Sequence, residues 1–225
     1  MRTAHLLFLT ASLALVACGG DETTGTSTST GSSTGSGAGG EGGAGGAGGS
    51  AGGAGPGSEK IVINEMNARS PLLTDLEWLE IVNSGDTAFS LNGYAITDTN
   101  PMVGGTPNLK GALRFPAEAV IPANGYFIIL CDQAMEAKPV AHPDCLMGAP
   151  PGTVCYHVTW KISASTGERV YFLAPNDSTI STADYPDPLQ VSPVDGETWA
   201  RLPNITGEFG VGTPTPGAAN MPAAP

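Results

Sequence analysis

Between Cys18 and Ile61 the sequence contains no Val, Ile, Leu, Met or aromatic residue. Gly19 to Ser58 consists of Gly, Ala, Ser and Thr, interrupted only by Asp21, Glu22, Glu41 and Pro56. A stretch with so little apolar surface cannot offset the entropy of ordering its glycines, so it is expected to stay disordered. Any hydrophobic core has to be built from Glu59 to Pro225. As a flexible coil of about 40 residues, the connecting segment spans roughly 35 Å on average and well over 100 Å when drawn out. Within it, Gly35-Ser36-Gly37-Ala38-Gly39-Gly40 has the G-x-G-x-x-G spacing of a dinucleotide loop. Without a preceding strand and a following helix to aim its amides at a phosphate, that spacing carries no chemistry.

The first residues read differently. Arg2 precedes a mostly apolar run from Leu6 to Val16, which ends in Leu15-Val16-Ala17-Cys18. A charged start, an apolar middle and small residues at a cut describe an export signal. The run is too short to cross ~30 Å of hydrocarbon as a helix. Leu-Val-Ala-Cys resembles the bacterial lipobox, in which the cysteine sulfur is alkylated by diacylglycerol and cleavage frees the amine for a further acyl chain. Two or three such chains hold a protein to a membrane firmly, where one holds only marginally. The expected division is residues 1–17 as a lipoprotein signal peptide, 18–58 as a disordered linker lipid-anchored through Cys18, and 59–225 as the folded domain. The expected location is an exported, membrane-anchored one, at the outer membrane or cell surface, because Gly19 supplies no retention charge.

The folded part carries 18 Asp or Glu against 8 Lys or Arg. Nucleic acid is therefore not expected as a partner. The acidity suits an exported, soluble monomer. Short runs rich in β-branched and aromatic residues alternate with Gly, Pro, Asn and Asp clusters. They predict strands near Ile61 to Asn67, Glu77 to Asn83, Gly93 to Thr97, Gly125 to Cys131, Tyr156 to Ile162, Arg169 to Ala174 and Thr198 to Leu202. Further strands are expected near Ala88 to Leu91, Leu113 to Phe115 and Thr179 to Asp184. No stretch has a helical period with a cap and a stop. In Glu77 to Asn83, Leu79 and Ile81 share one face and Trp78, Glu80 and Val82 the other, so both faces are expected to be covered. Phe127, Ile129 and Cys131 alternate in the same way with Ile128 and Leu130.

These runs, in this order, resemble the lamin tail domain. The resemblance is carried by Ile61-Val62-Ile63-Asn64-Glu65, Glu77-Trp78-Leu79-Glu80-Ile81-Val82-Asn83, Leu91-Asn92-Gly93-Tyr94-Ala95-Ile96-Thr97-Asp98 and Ile121-Pro122-Ala123-Asn124-Gly125-Tyr126. It closes with Trp199-Ala200-Arg201-Leu202-Pro203 and Thr213-Pro214-Thr215-Pro216-Gly217-Ala218-Ala219-Asn220. The resemblance implies an all-β, immunoglobulin-like antiparallel β-sandwich with no catalysis of its own, which attaches or positions a partner. Asp132 to Cys155 departs from the family pattern as an enlarged loop. Asn204 also departs, standing where members often carry Asp.

Within Glu59 to Pro225 no G-x-S-x-G, Walker A, H-E-x-x-H or C-x-x-C pattern is present, and only His142 and His157 follow the signal. No catalytic residue, cofactor or metal is expected. Glu65, Asp75, Glu77 and Glu80 could converge as a cation site or an acid–base pair, which is the route to a hydrolase. Structural use is the favoured reading, with the carboxylates satisfying backbone amides or pairing with Arg69, Arg114 or Arg201. Asp98-Thr99-Asn100-Pro101 starts like a calcium loop but lacks its glycine and distal glutamate, so a turn is expected. Of Trp78, Trp160 and Trp199, Trp160 is the first candidate for an exposed contact, such as stacking on a sugar ring. Of the cysteines left after lipidation, Cys145 and Cys155 are expected to form a disulfide, leaving Cys131 free; a Cys131 to Cys155 bond is the alternative. The expected function is that of a non-catalytic envelope lipoprotein holding an unknown protein or glycan partner, with a carbohydrate-binding module as the alternative.

Overall fold

A computed structural model describes residues 53–68, 76–134, 139–143, 145–187, 189 and 193–224. The expected export signal, Cys18, most of the expected linker, Arg69 and Asp75 lie outside the described residues. After a 3-10 turn at Ser58–Lys60 come β1 (Ile61–Asn67), β2 (Trp78–Asn83), β3 (Phe89–Ser90), β4 (Ala95–Thr97), β5 (Met102–Val103) and β6 (Thr106–Pro107). The chain continues with β7 (Leu113–Arg114), β8 (Val120–Ile121), β9 (Tyr126–Leu130), β10 (His142–Pro143) and β11 (Val154–His157). It ends with β12 (Glu168–Leu173), β13 (Thr179–Tyr185), β14 (Thr198–Leu202), β15 (Glu208–Thr213) and β16 (Met221–Pro222).

Eight of these strands form one sheet in the order β10-β11-β9-β2-β1-β14-β15-β16, and four form another in the order β13-β12-β4-β7. The core lies between them. Ile63, Met66, Leu79, Ile81, Phe127 and Ile129 from the larger sheet meet Ile96, Val170, Phe172 and Ala183 from the smaller. Alternation along each strand produces this arrangement, and the fold is the immunoglobulin-like β-sandwich that the sequence predicts. Trp199 of β14 ties the two sheets together: its indole Nε1 donates to the Asp184 carbonyl of β13 at 2.9 Å, and its ring stacks at 6.4 Å on Phe209. Trp199→Phe keeps the stack and loses that hydrogen bond, so it is expected to cost about 1 kcal/mol in urea unfolding.

Two features of the larger sheet position the functional surface. The first is a β-bulge: the pairing of β1 with β2 shifts register between Ile63 and Glu65. The extra residue returns Met66 to the core and leaves Asn64 and Glu65 together on the outer face. The second is the pairing of β11 with β9, which is parallel. A parallel neighbour needs a crossover of a dozen or more residues, and the enlarged loop supplies that length. The sandwich is thus antiparallel with this one exception among its described pairings.

The outer face of the large sheet is covered, as the alternation in β2 requires. Trp78, Ile128 and Leu130 pack there with Leu146 and Cys155 in a second apolar cluster. The strand expected from Tyr156 to Ile162 is shifted toward the N-terminus and occupies Val154–His157. Beyond it Val158, Trp160 and Ile162 still alternate onto the core, although the ladder has ended.

Candidate functional site

The two carboxylates nearest the middle of the large sheet are direct cross-strand neighbours, Glu65 on β1 facing Glu80 on β2. Both are fully buried. Glu65 Oε1 accepts the Thr215 amide at 3.0 Å, and its Oε2 bonds the Thr215 hydroxyl at 3.0 Å. Glu80 Oε1 accepts from Asn64 Nδ2 at 3.0 Å, and its Oε2 accepts the Gly217 amide at 2.6 Å. Asn220 completes the set, its Nδ2 donating to the carbonyls of Asn64 and Arg201, each at 3.0 Å. The carboxylates therefore pin the segment Thr215 to Asn220 across the outer face of the sheet. An edge loop with few apolar side chains is held by buried polar bonds in place of hydrophobic contact.

Electrostatics follow from that burial. Loss of water pushes the Glu65 carboxyl up to about 7, with the Thr215 amide and hydroxyl pulling partly back. Burial, and then the charge of Glu65, hold Glu80 well above the usual carboxylate range, opposed by Asn64 and Gly217. Such values resemble those of a catalytic acid, but structural networks perturb pKa as well. Here every carboxylate oxygen of the pair is engaged by the protein itself, which is the structural use favoured from sequence.

The arginines expected as partners are used elsewhere. Arg114 bonds the Gly93 carbonyl at 2.6 Å and pairs with Asp177. Arg201 donates to the carbonyls of Ile63 and Gly207 at 2.9 and 3.1 Å. Glu77 stands apart from the pair, its Oε2 accepting the Ile162 amide at 2.6 Å. Asp98 starts a turn, as expected: its Oδ1 accepts the Thr99 hydroxyl at 3.0 Å, and Asn100 Oδ1 accepts the Met102 amide at 3.0 Å. His142 and His157 lie on neighbouring strands with rings stacked at 4.0 Å. Among the described residues no group of three or more His, Cys, Asp or Glu is placed to hold a metal ion.

The expectation for Trp160 is corrected. It is 8% exposed and belongs to the main core, because Val158, Trp160 and Ile162 point inward while Thr159 and Lys161 point out. Trp78 is buried as well, and Trp199 is half-buried against Phe209. Trp78 and Trp160 are therefore closed to a sugar ring, and Trp199 turns one face to Phe209. The disulfide joins Cys145 to Cys155, with Cα atoms 5.9 Å apart, and Cys131 is free and buried.

The enlarged loop builds something the sequence did not reveal. Where Pro150 to Val154 returns toward the sheet, it faces Val120, Pro122 and Tyr126 across a groove of about 350 Å³. Glu118 stands on the rim and Tyr156 lines the wall. The only sequence signal for this groove was the departure of Asp132 to Cys155 from the family pattern, since no motif names its lining residues.

Among curated proteins, none matches the chain. The family model described as Lamin Tail Domain matches residues 55–187. That stretch runs from the turn before β1 past the end of β13, and so takes in the smaller sheet, the bulged strand with its carboxylate and the enlarged loop. The closing runs around Trp199 and Thr213 to Asn220 lie beyond the match, yet they complete the larger sheet and receive the Glu65 and Glu80 bonds. With more than half of its length matched, the chain belongs to the lamin tail domain family.

Proposed function

We propose that this protein is a lipid-anchored, non-catalytic binding protein of the cell envelope, whose lamin tail sandwich holds a partner at the surface. The observation that carries the non-catalytic part is the full engagement of Glu65 and Glu80 in pinning Thr215 to Asn220. A carboxylate whose oxygens all accept bonds from its own fold is poorly placed to relay protons to a substrate. A disulfide between Cys145 and Cys155 suits an oxidising, exported setting. No helix among the described residues is long and apolar enough to cross a membrane. Attachment is assigned to Cys18 on the strength of the Leu15-Val16-Ala17-Cys18 resemblance to the lipobox, and the polar segment that follows would let the sandwich stand off from the lipid.

The test has two arms. Cells fed labelled palmitate should incorporate label into the protein, and Cys18→Ser should lose the label and leave the membrane fraction. Equal membrane retention of Cys18→Ser would sink the anchor. A purified domain that hydrolyses phosphoesters or glycans, and stops when Glu80→Gln is introduced, would overturn the non-catalytic reading.

A further inference from the structure

We infer that the groove between the β8–β9 turn and the disulfide-bridged loop receives an arginine side chain of a basic partner protein. The inference rests on the partner-binding reading above and gives it a location and a chemistry.

The groove contains a polar atom that the fold does not use. Tyr156 is 1% exposed, its ring held edge-on by Phe115 at 5.3 Å and tilted against Phe127 at 5.7 Å. No hydrogen bond from a described residue reaches its hydroxyl. Burial raises the pKa of that phenol, and the nearby charge of Glu118 raises it further. A phenol whose ring is buried, whose hydroxyl has no partner among the described residues and which lines the same groove as Glu118 is a hydrogen-bonding site that the fold leaves to solvent or a ligand.

Among the described residues that line the groove, Glu118 is the one charged side chain. Pro122 and Pro151 have no amide hydrogen to donate, and the Pro122 carbonyl already accepts from Asn83 Nδ2 at 3.0 Å and the Gly125 amide at 2.9 Å. The Thr153 hydroxyl and amide both donate to Pro150, at 2.7 and 3.1 Å, which leaves the hydroxyl oxygen able only to accept. The Gly217 amide is taken by Glu80. Tyr126 accepts from Asn204 Nδ2 at 3.5 Å and keeps its own O–H to donate. A cation with several donors suits the Glu118 carboxylate and the Thr153 hydroxyl oxygen. Guanidinium presents five donors and no acceptor, and its flat apolar faces lie well against tyrosine and proline.

Charge points the same way, because the protein carries a formal net charge of −12 and Glu118 is exposed on the groove's rim. A field of that sign draws in basic partners and speeds their arrival. The Cys145–Cys155 bond closes the loop that forms one wall, so the groove is held open before a partner arrives.

The test titrates the isotope-labelled full chain, in detergent micelles, with N-acetyl-arginine amide and follows chemical shifts. N-acetyl-citrulline amide, neutral and nearly the same shape, is the control. Saturable shifts at Tyr126, Thr153, Val154 and Tyr156 are expected. Citrulline should bind about tenfold more weakly or worse, and Glu118→Gln and Tyr156→Phe should each weaken arginine by a similar factor. Tyr156→Phe keeps the ring and its packing, so a folded spectrum is expected for it. Equal binding of citrulline, shifts scattered over other acidic surfaces, or indifference to Glu118→Gln would overturn the inference. Response to a soluble glycan but not to arginine, lost in Tyr156→Phe, would replace guanidinium by sugar and overturn it as well. Formaldehyde capture on intact cells separates the two levels. A captured protein that persists in Glu118→Gln overturns the groove and leaves the binding reading standing, whereas no captured protein counts against the reading itself.

Discussion

Unfolding of this domain should require less urea at pH 8 than at pH 5. The cause is the buried pair on β1 and β2. An unfolded glutamate releases its proton near 4.5, whereas burial holds Glu65 protonated up to about 7. Below about 4.5 both states carry the proton and the full stability is present. Between there and about 7 the unfolded chain ionises while the folded one does not, so stability falls as pH rises; above it the folded state ionises too and the loss for Glu65 is complete. The difference of pKa corresponds to roughly 3 kcal/mol. Glu80, held higher than an ordinary carboxylate for the same reason, extends the decline in the same direction. Asp184 works with the opposite sign, since Arg169 lowers its pKa, but its effect is confined to the acid side of about 3.8 and leaves this window untouched.

Glu65→Gln isolates the cause. The new side chain keeps an oxygen for the Thr215 amide, and its amide group can donate to the Thr215 hydroxyl oxygen. The hydroxyl proton is then free to turn toward Asn220 Oδ1, which lies 3.3 Å away. The variant should fold, lose at least about half of the pH dependence, and be the more stable protein at pH 8. Urea midpoints at pH 5, 6, 7 and 8 check this. A flat profile in the parent, or an undiminished slope in Glu65→Gln, would show that the pair does not titrate as its burial requires.

Strands with an unbroken alternation were legible in the sequence. β1, β2, β9 and β14 declare themselves because burial on one or both faces demands Val, Ile, Leu or an aromatic residue at fixed intervals. β15 was invisible for a physical reason. It carries Gly210 and Gly212 where a strand former would signal it, and a Cβ on Gly212 would lie 2.7 Å from the Met221 carbonyl of β16. The close approach that builds the strand removes its signature. The register shift at Asn64 was equally hidden, because Ile-Val-Ile-Asn-Glu reads the same with or without a bulge. Only pairing with β2 decides which residues share a face. The carboxylate pair was visible as a pair of candidates, but the amides of Thr215 and Gly217 that it serves are some 150 residues and 137 residues away in the chain. Trp160 was misread although the strand expected from Tyr156 to Ile162 puts it on one face with Tyr156, Val158 and Ile162, and that face is the covered one. The groove is a product of tertiary closure: Val120, Tyr126 and Thr153 come together only through the parallel crossover.

That crossover yields the other large effect. Reducing the bond between Cys145 and Cys155, or replacing both with Ala, should cost about 2.7 kcal/mol by releasing a closed loop of some ten residues into the unfolded ensemble. The loop is short, yet it contains Pro150, Pro151 and Gly152, and its closure is coupled to packing. Cys155 is fully buried beside Trp78, Ile128 and Leu130, so loosening the loop also disturbs the apolar cluster on the outer face of the sheet. Urea midpoints with and without a phosphine reductant measure the loss. Cys131→Ala is the control, because Cys131 lies in the main core and takes no part in the bond. Its midpoint should fall further on reduction, as the parent's does. At urea concentrations where the reduced protein is still folded, arginine affinity should already have dropped, since Pro151 and Thr153 belong to the wall that the bond fixes. A midpoint unmoved by reduction, together with a peptide linking Cys131 to Cys155, would reassign both the stability and the preformed groove to a different pairing.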